Sequence, residues 1–271
     1  PNAGKTTIFN ALTGAHHKVG NYPGVTVEKR EGSRSRNGRR YDITDLPGIY
    51  SLTAYSIDEV VTRDFLLDHR PDIIVDVMDS TNLSRHLYLC LQFQELGIPV
   101  IGALNMSDEA AQNGLKFDLE LMSNLLGGPV VPTNGSDGDG IAALLEAALE
   151  VAATGRVCTG RVYYGVDLEQ SLRAVGEQFE GDDAVSARRR AIALLDGMPD
   201  PHAPDGAREA AAEEVARIEK RGGRPVDVQI AEARYGFALG VATEVTTAAA
   251  HHVRRDRTMW LDGLLLHRVW G

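Results

Sequence analysis

The 271-residue sequence has only two cysteines and no long run of basic or apolar residues. Cys90 and Cys158 lie far apart and match no metal-ligand spacing, so we interpret them as reduced thiols of a cytosolic protein. No stretch of five or more Lys/Arg occurs and the formal net charge is −10, which argues against a nucleic-acid partner. No signal peptide is recognisable, and no apolar run is long enough to cross a bilayer.

The residues that are present predict two regions of different architecture. Between residues 73 and 151, apolar strand-like runs alternate with helical patterns, which predicts a mostly parallel sheet covered by helices on both faces. Two extended runs before it, residues 25–33 and 40–45, flank Asn37-Gly38 and predict a hairpin that adds an antiparallel edge. After Gly155 the strand patterns stop, and four helices are predicted up to residue 250.

The first residues resemble the end of a phosphate-binding loop. In such a loop Gly4 lets backbone N–H groups close around phosphate oxygens, Lys5 places a cation on the β- and γ-phosphates, and the Thr6 hydroxyl can ligate Mg²⁺. The strand that normally precedes the loop is missing, so we expect the sequence to be a fragment of a longer protein. The candidate phosphate contacts are Asn2, Ala3, Gly4, Lys5, Thr6 and Thr7.

A second motif closes the predicted hairpin. In Asp45-Leu46-Pro47-Gly48 the carboxylate of Asp45 can hold the Mg²⁺ shell, and the backbone N–H of Gly48 can approach the γ-phosphate. If these four residues stood alone, a simple Asp-x-Pro-Gly turn would be the preferred interpretation.

A third motif, Asn105-Met106-Ser107-Asp108, directly follows a predicted buried strand. Asp108 can accept two hydrogen bonds from guanine N1 and the exocyclic amine, a donor pair that adenine lacks. Asn105 would tie the base-binding loop to the phosphate loop. An isolated Asp at this place could also simply cap the next helix.

The order of the three motifs decides between these interpretations, because each lies at the carboxyl end of a strand, where an open α/β sheet binds its ligand. The ordered set resembles the GTPase superfamily. The fold class is therefore α/β: a P-loop GTPase with a doubly wound, mostly parallel sheet, followed by a small all-helical domain.

A finer resemblance is to the bacterial ferrous-iron transporter B (FeoB) family, and it covers essentially the whole chain. It rests on Gly20-Asn21-Tyr22-Pro23-Gly24-Val25-Thr26-Val27-Glu28-Lys29, on Leu83-Ser84-Arg85-His86-Leu87-Tyr88-Leu89 before Gln92, on Asn105-Met106, on Pro129-Val130-Val131-Pro132-Thr133, on Ala233-Arg234-Tyr235 and on Leu265-Leu266-His267. In that family a GTPase domain and a helical spacer precede a membrane permease. The resemblance implies a GTPase domain at 1–155, a spacer at 156–253 and a juxtamembrane linker at 254–271.

The resemblance also implies residue roles. Thr26 is the switch I threonine, which senses the γ-phosphate and, in the GTP state, ligates Mg²⁺ together with Thr6. Asp45 reaches the same ion through water. Asn2 matches the phosphate-loop asparagine of related GTPases that use K⁺ beside the β,γ-phosphates; a K⁺ ligand and a merely loop-shaping residue stay open as its roles. The candidate catalytic residues are Asn2, Lys5, Thr26 and Gly48.

Two departures from the usual motifs affect the expected activity. The guanine loop has Thr133-Asn134-Gly135 in place of Ser/Thr-Ser-Ala, although the Gly135 N–H could still reach guanine O6. Ile49 stands where many small GTPases have a water-orienting glutamine, so intrinsic hydrolysis is expected to be slow.

The resulting hypothesis is a GTP-hydrolysing regulatory domain, with GTP/GDP and Mg²⁺ as ligands and K⁺ as a further candidate, that gates Fe²⁺ uptake at the cytoplasmic face of the bacterial inner membrane. Its expected partners are guanine nucleotide and the protein's own C-terminal permease domain; self-assembly stays open, and nucleic acid is not expected. The alternatives are a soluble ribosome- or RNA-associated GTPase and a nucleotide-sensing module with negligible turnover.

Overall fold

A computed structural model of the chain describes residues 2–14, 17–36, 38–53, 56–155 and 162–248. Outside the description lie Asn37 of the predicted hairpin turn, the segment 156–161 and the tail from residue 249. The same holds for Cys158 and for the predicted linker at 254–271.

The first part of the chain builds one helix and an antiparallel sheet. Helix α1 (Lys5–Thr13) begins at Gly4 and ends at Gly14, both in the left-handed region. Strands β1 (His17–Asn21), β2 (Glu28–Arg36) and β3 (Arg39–Asp45) then pair in the order β1-β2-β3. The predicted hairpin is confirmed as β2 and β3, whereas β1 falls in a polar stretch that has no alternating pattern to reveal it.

The middle of the chain forms a parallel sheet in the order β4-β5-β7 with helices between its strands. The elements are α2 (Ile57–His69), β4 (Ile74–Asp79), a 3-10 turn (Ser80–Asn82), α3 (Leu83–Glu95), β5 (Val100–Asn105), α4 (Ser107–Gln112), β6 (Leu115–Phe117), α5 (Leu119–Leu126), β7 (Val130–Pro132) and α6 (Ile141–Thr154). The expected fold class, a P-loop α/β domain followed by helices, is confirmed.

The hairpin does not extend the parallel sheet as expected. Among the described residues no ladder joins β3 to β4, and the two sheets are connected by side chains instead. Tyr41 and Ile43 of β3 and Val75 and Val77 of β4 pack against one apolar cluster, which α1, β5 and α6 complete. Apolar burial rather than backbone pairing therefore holds the hairpin in place.

Helix α2 is an element that the apolar pattern did not indicate. Its apolar stripe is narrow, since only Thr62 and Leu66 are buried. Its start is nevertheless encoded locally, because the Ser56 hydroxyl accepts from the Glu59 N–H while the Glu59 carboxylate accepts from the Ser56 N–H. This reciprocal cap is a sequence signal that could have revealed the helix.

Four further helices follow the GTPase-like part: α7 (Val166–Gly176), α8 (Ala184–Leu195), α9 (Asp205–Gly222) and α10 (Val226–Val245). One apolar cluster continues from Leu87 and Leu91 of α3 into this bundle, where it includes Ile230 and Ala238 of α10. The two parts of the chain thus share a core across α3.

The expectation that strands stop after Gly155 is wrong at one place. Strand β8 (Thr246–Ala248) pairs antiparallel with β6, where a continuous helix up to residue 250 was predicted. The chain leaves the helix at the β-branched run Val245-Thr246-Thr247, whose side chains favour extended backbone.

Candidate functional site

The phosphate loop and the hairpin end meet through an ion pair. The Lys5 ammonium contacts the Asp45 carboxylate, although 40 residues separate them in sequence. Asp45 is the last residue of β3 and its side chain is only 8% exposed, so the lysine compensates a largely buried charge. Both groups lie at the positive end of α1, where a phosphate anion would be favoured.

Asn105, at the end of β5, connects the phosphate loop to the loop that follows β7. Its Nδ2 donates to the carbonyl oxygen of Ala3 at 2.8 Å, and its Oδ1 accepts the Gly135 N–H at 3.0 Å. The Thr133 hydroxyl lies 3.4 Å from the same Oδ1. Asn105 is 4% exposed, so these contacts are shielded from water and strengthened by the low local dielectric.

Gly4 is a glycine because of this same contact. Its φ is +79°, and a Cβ at this position would overlap the Asn105 carboxamide. Any larger residue would therefore push the Asn105 side chain away from Ala3.

The base-binding loop places Asp108 at an open pocket. Met106 takes a left-handed φ of 60°, and its carbonyl accepts the Ser80 hydroxyl at 2.8 Å, which fixes the turn into α4. The Asp108 side chain is exposed on the first turn of that helix. A pocket of about 510 Å³ lies beside it, lined by Ser107, Asp108, Val131, Pro132, Thr133, Asn134, Asp139, Gly140 and Ala143.

The loop after β7 holds the candidate donor to guanine O6. In this structure the Gly135 N–H donates to Asn105 Oδ1 in a buried hydrogen bond. The next N–H, that of Ser136, points only to the Asn134 side chain at 3.3 Å. Asn134 Oδ1 also accepts the Ser136 hydroxyl at 2.7 Å, so an Asx turn shapes this flexible-looking stretch.

The segment around Thr26 is anchored by a residue that the sequence analysis did not single out. Tyr22 is 5% exposed, its hydroxyl donates to the Asp45 carbonyl at 3.2 Å, and its ring packs edge-on against Phe65 of α2. Burial, together with the nearby carboxylates of Asp45 and Glu31, raises the pKa of the Tyr22 phenol well above its usual range, so it remains a donor. The sequence signal that could have revealed it is an aromatic residue directly before Pro-Gly in an otherwise polar stretch.

Thr26 itself is exposed four residues after Tyr22, and no hydrogen bond of its hydroxyl is described. Thr6 and Thr7 are likewise exposed on the first turn of α1. The structure thus brings Lys5 and Asp45 together but does not bring Thr26 to them.

Ile49, four residues after Asp45, has an apolar side chain that is buried and cannot orient water. Ile49 is 7% exposed and packs with Leu52, Leu66 and Phe93 in an apolar cluster, directly after Gly48. Its side chain therefore serves the core rather than the site.

The metal-binding residues expected from the sequence fit Mg²⁺ by donor chemistry. Thr6 offers an exposed hydroxyl and Asp45 a carboxylate, and both are oxygen donors at the positive end of α1. Asn2, with φ 63° and an exposed side chain, offers a carboxamide oxygen at the entrance of the loop. Among the described residues no group of three or more His, Cys, Asp or Glu forms a further metal-binding cluster.

Comparison with known proteins agrees with this geometry. Residues 1–148 match the family described as ferrous iron transport protein B, and residues 164–247 match the FeoB cytosolic helical domain. A Porphyromonas gingivalis Fe(2+) transport protein A/Fe(2+) transporter FeoB fusion protein is 37% identical over 100% of this chain and 34% of its own length. The chain spans about a third of the length of the curated relatives it matches.

Solved structures lead to the same family. A GDP-bound variant of the S. thermophilus FeoB G domain is 35% identical, with a TM-score of 0.81 over 91% of this chain and 96% of that one. The cytosolic domain of the T. maritima FeoB iron transporter in a GMPPNP form is 34% identical, with a TM-score of 0.76 and the same two coverages. Within the described residues, no helix has the length and hydropathy needed to cross a membrane.

Proposed function

Because this chain belongs to the FeoB family of ferrous-iron transport proteins, carrying its G domain and its cytosolic helical domain, we propose that it hydrolyses GTP and thereby gates Fe²⁺ uptake through a membrane permease domain. It would act at the cytoplasmic face of the bacterial inner membrane. The proposed extents are 1–155 for the GTPase domain, 156–253 for the helical spacer and 254–271 for the linker to the permease. Fe²⁺ is the cargo of the permease and not a ligand assigned to these residues.

The observation that carries the proposal is the position of Asn105. One carboxamide holds the phosphate loop at Ala3 and the base loop at Gly135, so the two halves of a nucleotide site are fixed relative to each other. Asp108 lies three residues further along, in the first turn of α4, where it is exposed and lines an open pocket. A carboxylate at that position selects guanine, because it matches two adjacent donors of that base.

The residues proposed to act on the γ-phosphate come from three segments. Lys5 would leave its pairing with Asp45 in part to contact the phosphates, and the Gly48 N–H would hydrogen-bond the γ-phosphate. Thr6 and Asp45, and Thr26 in the GTP state, would hold Mg²⁺, which neutralises phosphate charge when bound. We further propose that the Ser136 N–H, rather than the Gly135 N–H, hydrogen-bonds guanine O6, since the Gly135 hydrogen bond is buried whereas the longer one of Ser136 is exposed and can be exchanged for the base.

The experiment that tests this function uses the full-length protein in proteoliposomes. Fe²⁺ uptake should require GTP, fail with ATP, and stop with a non-hydrolysable GTP analogue. Uptake that is equal with and without GTP would contradict gating, whereas loss of selectivity for GTP over ATP would contradict the base assignment.

One alternative function is favoured by a specific observation. Ile49 is buried in the apolar cluster, so the usual water-orienting side chain is missing and a sensor with negligible turnover would use the same nucleotide site. Uptake supported equally by GTP and by its non-hydrolysable analogue would favour the sensor.

A further inference from the structure

We propose that Gln92 and Arg85 of α3 are positioning residues for the segment 49–53, which follows Gly48. This inference rests on the proposed GTPase function, because Gly48 is the residue assigned to the γ-phosphate. Neither side chain belongs to the nucleotide motifs, and both contact the segment from one helix.

The segment is held to the core by two apolar side chains and one buried hydrogen bond. Ile49 and Leu52 lie in the same apolar cluster, where Leu52 is 1% exposed. The Leu52 backbone N–H donates to Gln92 Oε1 at 3.0 Å, and Gln92 is 3% exposed. Because the donor and the acceptor are both buried, losing either partner would leave the other without a hydrogen bond and without water.

Arg85 contacts the same segment at Tyr50, two residues before the Leu52 N–H that Gln92 binds. Its guanidinium carbon lies 3.4 Å from the centre of the Tyr50 ring, two residues after Gly48. Arg85 and Gln92 are two helical turns apart on α3, so they fix Tyr50 and Leu52 against a single rigid element. Since Ile49 lies between Gly48 and Tyr50, movement of this segment relative to α3 would also move the Gly48 N–H.

Gln92 is satisfied at only one end of its carboxamide. Oε1 accepts from Leu52, whereas Nε2 is buried and finds no hydrogen-bond partner among the residues that the structure describes. An unpaired buried donor is unfavourable, and any rearrangement of the segment that brings a backbone carbonyl to Nε2 would relieve it.

The same helix ends on the helical domain. Glu95, one turn after Gln92, accepts from the buried Arg234 of α10 at 2.6 Å and from the Tyr164 hydroxyl. Arg234 also contacts Asp196 at 2.7 Å, after α8. Helix α3 thus contacts the segment 49–53 through Arg85 and Gln92, and it contacts the helical domain through Glu95.

The sequence offers a matched control on the same helix. Gln94 is also a buried glutamine, 1% exposed, whose Nε2 donates to the Leu126 carbonyl at 2.9 Å. Its Oε1 has no partner within the described part of the chain. It faces α5 instead of the segment 49–53. Replacing each glutamine by methionine keeps the side-chain volume and removes the polar contacts in both cases.

The test compares the full-length protein with its Gln92→Met, Gln94→Met and Arg85→Gln variants. Hydrogen exchange of residues 48–53 should become about tenfold faster in Gln92→Met, as expected for loss of one buried hydrogen bond. Its kcat for GTP should fall about tenfold, while GDP affinity stays within about twofold, because GDP lacks the γ-phosphate. Arg85 is exposed, so Arg85→Gln should lower kcat by about threefold, which is the effect expected from losing a cation–π contact at the surface.

Gln94→Met should lower thermal stability and leave both the exchange of residues 48–53 and kcat as in the wild type. The proposal is overturned if Gln94→Met changes them as Gln92→Met does, or if neither Gln92→Met nor Arg85→Gln changes them. If Gln92→Met does not fold, Arg85→Gln decides alone. A wild-type protein without GTP hydrolysis would instead contradict the proposed function, and hydrogen exchange would still test the positioning role.

Discussion

The Nδ2 atom of Asn105 donates a 2.8 Å hydrogen bond to the carbonyl oxygen of Ala3, across 102 residues of sequence. The other end of the same carboxamide accepts the Gly135 N–H. The geometry of the phosphate loop and that of the base loop are therefore not independent, and a change in one is transmitted to the other through a single side chain.

Asn105→Ala should consequently weaken binding of both GDP and GTP by about 10- to 100-fold, because each lost buried hydrogen bond costs about 1–3 kcal/mol. Titration with a fluorescent guanine nucleotide measures this. Asn113→Ala, at the exposed end of α4, is the matched control and should bind as the wild type does. Equal affinities of the Asn105 variant and this control would contradict the coupling.

Asp108→Asn should weaken GTP binding and allow xanthosine triphosphate to bind. The carboxylate accepts from two donors of guanine, whereas an amide presents one donor and one acceptor, which suit the xanthine base. Competition of the two nucleotides for the variant gives the measurement. Unchanged GTP and GDP affinity would refute the assignment of Asp108.

Thr26→Ala should abolish most GTP hydrolysis and leave GDP affinity within about twofold, because Thr26 is exposed and is expected to engage only when a γ-phosphate is present. Single-turnover hydrolysis and GDP titration separate the two effects. If GDP affinity falls as much as activity, Thr26 is a general binding residue rather than a γ-phosphate sensor.

Much of this organisation could be predicted because local patterns encode it. The strands before Asn105 and Asp45 are short apolar or alternating runs, and the motif at each end is a contiguous stretch of sequence. The long-range link from Asn105 to the phosphate loop was predicted for the same reason. The fold and the family that these elements predicted are confirmed by the comparisons with known proteins.

The remainder depends on tertiary contacts that no local pattern shows. Tyr22 lies in a polar stretch, and its importance arises only where its ring meets Phe65 and its hydroxyl meets Asp45. The acceptor of the Gly135 N–H could not be predicted locally either, because it is the side chain of Asn105, 30 residues away. Strand β8 forms because a distant strand offers it an edge for pairing.

Asp76 on β4 should make stability depend on pH. Burial raises the pKa of its carboxyl to about 7, although a hydrogen bond with Cys90 opposes this. One carboxyl oxygen, Oδ2, is buried without a hydrogen-bond partner among the described residues. The folded state then binds the proton more tightly than the unfolded state, so stability falls as pH rises from about 4 to about 7.

Asp76→Asn should remove this loss. The difference in unfolding free energy between the Asp76→Asn variant and the wild type should change in favour of the variant by up to about 3 kcal/mol between pH 5 and pH 8. Urea titrations at several pH values measure it, and exposed Asp72→Asn should follow the wild-type profile. An Asp76 variant whose profile runs parallel to that of the wild type would show that the carboxyl is ionised throughout.

The final prediction concerns Asn2 and potassium. Ile49 is buried in the apolar cluster and cannot orient water, so hydrolysis at a useful rate needs charge stabilisation from another source. Asn2 adopts φ 63° at the start of the phosphate loop with its side chain exposed, where a carboxamide oxygen can share a K⁺ with nucleotide oxygens. A cation there would neutralise the charge that gathers at the β,γ-bridge in the transition state.

GTP hydrolysis by the full-length protein should therefore run faster in KCl than in NaCl, and Asn2→Ala should remove most of the difference. The ionic strength must be equal in both salts, since general screening could imitate a specific ion effect. Asn10→Ala, within helix α1 and eight residues after Asn2, serves as the control and should keep the preference for potassium. If both salts gave the same rate in the wild type, Asn2 would be a loop-shaping residue, and the charge stabilisation would have to come from Lys5 and Mg²⁺ alone.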